Sequence, residues 1–128
     1  MVNFKNVTPG GYAQYVEIDL GTARIMVISG QVAIDAEGKV IGKGDFELQA
    51  ESIFIAIKSL LEKAGGTTAN LIKLNTYLTD LSDLPLFKKI RDRYINTLNP
   101  PASTTIQISR LVKDELLLEI EATAVIPA

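Results

Sequence analysis

The chain has 128 residues, 47% of them hydrophobic and 22% charged, and a net charge of −2, the size and balance of one folded globular domain spanning residues 1–128. It contains neither cysteine nor histidine, which excludes disulfides, thiolate nucleophiles, Ser-His-Asp triads and the usual zinc or transition-metal ligand sets. Without a basic excess there is no electrostatic case for a nucleic-acid partner; Lys88, Lys89, Arg91 and Arg93, interrupted by Asp92, read as the solvated face of a helix.

An all-carboxylate magnesium or calcium site stays formally open, but no acidic cluster has the spacing of a calcium loop. The first residues, MVNFKNVTPGG, lack a charged start followed by an apolar run, and no segment approaches transmembrane length. A cytoplasmic protein with no membrane partner is therefore expected.

In chain order, Val2 to Val7 fits a short edge strand, and Thr8-Pro9-Gly10-Gly11 a turn. Tyr15, Glu17 and Asp19 alternate with Val16, Ile18 and Leu20, and Gly21-Thr22 turns the chain into the apolar run from Arg24 to Ala33, so a hairpin is expected. Ser29-Gly30 interrupts that second strand and signals a bulge, a close approach by a ligand or another backbone, or a simple bend. Asp35 to Gly44 is a loop. Asp45 caps a helix whose apolar stripe runs through Phe46, Ala50, Ile53, Ile57, Leu60 or Leu61, and Ala64, closed by Gly65-Gly66.

Leu71 to Leu78 reads as a strand with an amphiphilic side (Leu71, Lys73, Asn75, Tyr77) and a second side of Ile72, Leu74, Thr76 and Leu78. After a turn at Thr79 to Asp83, Ser82 is a candidate cap and Pro85 fits the first turn of a helix. Its stripe is Leu84, Phe87, Ile90 or Arg91, Tyr94 and Leu98, ending before Asn99-Pro100-Pro101. The closing stretch, Pro100 to Ile126, reads as two strands joined by a short turn, one face aliphatic and the other carrying Gln107, Glu119 and Glu121. Two carboxylates inside a strand fit a solvated face, a polar cleft or a subunit seam. The order is that of an α+β fold, a mixed sheet of about six strands covered on one face by two helices. The uncovered face is too apolar to leave bare, which points to self-association.

Several short segments, taken together in order, carry a family resemblance: Gly11-Tyr12, Ser29-Gly30-Gln31, Thr79-Asp80-Leu81-Ser82-Asp83, Pro101-Ala102, Leu111-Val112-Lys113-Asp114 and Glu119-Ile120-Glu121-Ala122-Thr123-Ala124-Val125. With these the chain resembles, essentially end to end, the RidA/YjgF family of reactive intermediate deaminases, also called L-PSP. The resemblance implies a chorismate-mutase-like α+β subunit and a homotrimer with a central barrel. It implies small-molecule ligands in the inter-subunit clefts, no cofactor, and hydrolysis of enamines and imines to 2-oxo acids and ammonia.

By the same resemblance Tyr12 would lie over the ligand and the Ser29-Gly30 backbone would hold its polar end. Glu119 would orient water or donate a proton, with Glu121 on the same strand face as the alternative carboxylate. Two positions depart from the family pattern. Ser103 stands where an arginine anchors the substrate carboxylate, and a serine brings neither charge nor a bidentate fork. Lys88 replaces an asparagine, either supplying charge to the cleft or merely solvating its helix. Arg24 and Arg110 are the other strand arginines. The readings that follow are a divergent or weakened imine deaminase, or alternatively a non-catalytic small-molecule-binding or regulatory trimer. A ribonuclease role, a label that travels with the family, has least support, since the chain lacks a basic path and histidine.

Overall fold

The computed structural model describes residues 1–128. Six strands and two α-helices follow one another as β1 (Val2–Val7), β2 (Ala13–Asp19), β3 (Ala23–Gln31), α1 (Phe46–Lys63), β4 (Leu71–Leu78), α2 (Leu84–Arg91), β5 (Ala102–Gln107) and β6 (Leu118–Pro127). The strands form one sheet in the order β1-β2-β3-β6-β4-β5. All neighbours run antiparallel except β4 and β5. Both helices pack on one face, and the core lies between them and the sheet. This is the mixed α+β architecture expected from the order of elements.

Local signals explain most of these elements. The Asp45 carboxylate accepts a hydrogen bond from Leu48 N at 3.0 Å, capping α1. Phe46, Ala50, Ile53, Ile57, Leu60, Leu61 and Ala64 are all buried, as the helical period requires. β2 and β3 form the expected hairpin around Gly21, whose φ of +86° suits glycine. In β6 the buried residues Leu118, Ile120, Ala122, Ala124 and Ile126 alternate with Glu119, Glu121, Thr123 and Val125 on the uncovered face.

The closing strands do not form a hairpin, contrary to expectation. β5 pairs in parallel with β4, Leu74 opposite Ser103 and Leu78 opposite Gln107. β6 lies on the other side of β4 and pairs with both β4 and β3. Parallel strands need a crossover, and α2 supplies it between β4 and β5. Because Gln107 is in register with buried Leu78, it belongs to the helix-covered side and does not share a face with Glu119 and Glu121. Its side chain accepts Leu81 N at 2.8 Å instead.

Three smaller differences have equally local causes. The β4–β6 register shifts between Leu71 and Lys73, so Leu71 turns into the core while Ile72 is 48% exposed. Ser82 is not the cap of α2: Asp80 accepts Ser82 N at 2.9 Å in the short 3-10 turn Leu81–Asp83, and α2 starts without a side-chain cap. Helix α2 stops at Arg91, where tighter bonds follow, with Arg93 N to Ile90 O at 3.0 Å and Tyr94 N to Arg91 O at 2.9 Å. Tyr94 still reaches the core, stacking on Phe54 at 5.1 Å, but Leu98 is 89% exposed.

One buried polar side chain holds the layers together. Gln49 of α1 donates to Gly42 O at 3.2 Å and Glu115 O at 2.9 Å, and accepts Leu117 N at 2.8 Å. It thereby anchors the loop leading into β6, the strand that carries the two glutamates. No helix is long and apolar enough to cross a membrane.

Candidate functional site

The β3–β6 register passes from Ile28 opposite Ala122 to Gln31 opposite Ile120, so Ser29 and Gly30 together face Glu121. This is a β-bulge. The bulge also provides a close approach, because the side chain of Glu119 lies over Gly30. A β-carbon at Gly30 would stand 2.8 Å from Glu119 Cδ and 3.2 Å from its Cγ. Only glycine leaves that space to the carboxylate.

Ser29 uses its hydroxyl within the fold, donating to Ala13 O at 2.6 Å and tying the bulge to the start of β2. Gln31 Nε2 donates to Ser29 O at 2.9 Å. The neighbouring turn presents Tyr12, which is 52% exposed. Thr8 N donates to Tyr12 O at 2.8 Å, and Gly11 N to Thr8 O at 3.1 Å. Tyr12, Gly30, Gln31 and Asp35 share the wall of a pocket of about 250 Å³. A larger concavity of about 500 Å³ lies between the same turn and α1. Its only charged lining group is Lys63, whereas the smaller pocket opens on Gly30, over which Glu119 lies, and is the better candidate despite its size.

The two glutamates of β6 have different surroundings. Glu121 Oε1 accepts Tyr77 OH at 2.8 Å and Asn75 Nδ2 at 3.1 Å. No side chain donates to Glu119, although Tyr77 stands directly opposite it in the β4–β6 register. Burial, reinforced by repulsion from Glu121, holds the Glu119 carboxyl above the usual carboxylate range. The Tyr77 hydroxyl is also raised, first by its hydrogen bond to Glu121 and then by burial. A carboxyl with a raised pKa is suited to exchange a proton with a bound molecule or water, donating in its acid form and accepting in its carboxylate form.

The structure thus brings Tyr12, Ser29, Gly30 and Glu119 together around one bulge. It does not bring Lys88 or Ser103 to them within the chain. Lys88 is exposed on α2 in the helix layer, and exposed Ser103 lies on edge strand β5 in register with Leu74, on the side opposite Glu119. Arg24 is paired with Glu17 at 3.2 Å, and Arg110 lies beyond β5, paired with Asp114 at 2.8 Å. Asn75 and Tyr77 are the contributors that sequence reasoning missed. Their place on the amphiphilic side of β4 was the available signal, but only strand pairing reveals that they engage Glu121 and leave Glu119 without a donor.

Comparisons with known proteins place the chain's sequence and fold among relatives. The profile of the family described as Endoribonuclease L-PSP matches residues 6–126. A RutC family protein of Pyrococcus abyssi is 33% identical over 115 residues, covering 90% of this chain and 86% of the relative. The 2-iminobutanoate/2-iminopropanoate deaminase of Salmonella typhimurium is 28% identical over 120 residues, covering 91% of each. Among solved structures, RidA from the Antarctic bacterium Psychrobacter is 30% identical with a TM-score of 0.75, covering 94% of this chain and 91% of that one. Yeast Mmf1, at 19% identity, shares the fold with a TM-score of 0.84 over 100% of both chains. By this profile match and these relatives, the chain belongs to the RidA/YjgF/L-PSP family.

Proposed function

We propose that residues 1–128 form one domain that hydrolyses reactive imines and enamines, and that it works as a homotrimer with its small-molecule clefts between subunits. The observation carrying this reading is the raised carboxyl of Glu119 held over Gly30 beside the Tyr12 pocket. The name of the Salmonella relative, a 2-iminobutanoate/2-iminopropanoate deaminase, supports the reaction class. Self-association is supported by the apolar half of the uncovered sheet face, where Phe4 is 67% and Val27 43% exposed beside Val16, Ile18 and Ile25. In the trimer a neighbouring subunit would bring Ser103 and Lys88 to the cleft.

In this scheme an enamine first tautomerises to its imine. Glu119 passes its proton to the imine nitrogen as water adds to the carbon, and the resulting carboxylate takes up a proton from that water. The carbinolamine then breaks its C–N bond, releasing ammonia and the oxo compound, so that water is the only co-reactant. Tyr12 covers the ligand, and the backbone at Ser29-Gly30 holds its polar end. Ser103 offers one neutral hydrogen bond where a charged fork would bind a carboxylate about twice as strongly, so turnover of simple 2-imino acids is expected to be weak.

The test couples this protein to an imine-generating threonine dehydratase and follows 2-oxobutanoate release against buffer. Hydrolysis of no imine or enamine, carboxylated or neutral, would refute the deaminase reading. It would leave the second reading, a non-catalytic small-molecule-binding or regulatory trimer, which the substitution at Ser103 favours.

A further inference from the structure

The glutamates of β6 sit two residues apart on one sheet face, yet the strand opposite them serves only one. Asn75 stands across from Glu121 and donates to it at 3.1 Å. Tyr77 stands across from Glu119 but sends its hydroxyl along the strand to Glu121 at 2.8 Å. Glu119 is thereby deprived of the donor nearest to it in register. It turns the other way, over the bulge, where Gly30 alone among the residue types leaves it room.

We infer that Glu121 is a positioning residue for Glu119: held by Tyr77 and Asn75, it takes the donor that stands opposite Glu119 and leaves that neighbouring side chain folded toward the Gly30 side. With both donors engaged by Glu121, Glu119 is left without one over the bulge, where burial first and the neighbouring Glu121 second raise its pKa.

The other titratable groups near this pair are few. On the uncovered face the remaining titratable side chains are Tyr77 and Lys73, both on β4, while β1, β2, β3 and β5 contribute none there. Lys73 directs its ammonium to Thr104 Oγ1 on β5 at 3.0 Å and pairs with neither glutamate. Beyond the sheet, Tyr12 and Asp35 line the pocket on which Gly30 opens.

This role deepens the deaminase reading and rests on Glu119 as its acid. The test is a carbon-13 NMR titration of the Glu119 side-chain carboxyl in the ligand-free full chain. It compares the wild type with Glu121→Gln, whose amide oxygen still accepts from Tyr77, and with Tyr77→Phe. The Glu119 midpoint should move to lower pH in Glu121→Gln, and in the same direction by less in Tyr77→Phe. If the midpoint stays in place or rises in the folded variants, Glu121 has no such role. A packing effect alone would not move a midpoint in that direction in an isosteric variant. Since no substrate is present, failure to hydrolyse imines would sink the deaminase reading without touching this result.

Discussion

The carboxylate of Glu119 rests on the α-carbon of Gly30, so close that a β-carbon at residue 30 would stand 2.8 Å from Glu119 Cδ. Gly30 has no positive φ to protect, and the obstructing atoms are the outer end of a flexible side chain. Gly30→Ala should therefore displace Glu119 rather than unfold the sheet. Thermal denaturation is expected to change by less than about 1 kcal/mol, while imine hydrolysis falls roughly 100-fold, the usual cost of misplacing a reacting group by about 1 Å. Stability and rate falling together would mean that Gly30 serves the fold instead.

Glu119→Gln should abolish proton transfer, lowering the rate by about 10²-fold or more, and at neutral pH it should raise the melting temperature. The sign follows from linkage. A carboxyl whose folded pKa lies above its unfolded value leaves the unfolded state with fewer bound protons, so its contribution to stability falls as pH rises between the two. The variant escapes that loss. Melting curves against pH should show its advantage shrinking on acidification and vanishing below the ordinary carboxylate range.

Ser103 is exposed on an edge strand, where a longer side chain meets no core. Ser103→Arg should fold as the wild type does and gain carboxylate binding. Its KM for 2-iminobutanoate is expected to fall about 10-fold or more, since hydrogen bonds to charged groups contribute roughly 1.5–3 kcal/mol. Steady-state kinetics of both proteins on the same imine decide this. No gain would mean that Ser103 does not border the cleft.

Gln49 is wholly buried and makes three hydrogen bonds to the backbone of two loops. Gln49→Leu keeps most of the volume but strands two carbonyls and one amide, at about 1–3 kcal/mol for each group left without a partner. A loss of roughly 3 kcal/mol in denaturant unfolding is expected. A change below about 1 kcal/mol would show that water replaces the side chain.

These cases divide by the range of the interaction that decides them. Helix α1 was legible because its cap, its stripe and its closing glycines lie within one segment, and the β2–β3 hairpin because Gly21 joins neighbouring strands. Ser29-Gly30 was legible as a break in a strand, and Glu119 as a carboxylate in an unusual place. Pairing across the sheet was not. A strand's alternation says which residues share a side but not which strand lies next to it, so β5 and β6 looked like a hairpin although β4 runs between them.

That insertion decided the rest. It put Gln107 and Ser103 on the side away from the glutamates, and it set Asn75 and Tyr77 against Glu121. The shift between Leu71 and Lys73, which turns Leu71 inward, also depends on the partner strand. By itself the sequence determined most of the elements and the α+β class, since these depend on side chains a few positions apart, and it marked both glutamates of β6 as carboxylates in an unusual place. Only the tertiary structure decided which glutamate is left without a donor, because that depends on hydrogen bonds between strands more than forty residues apart in the chain.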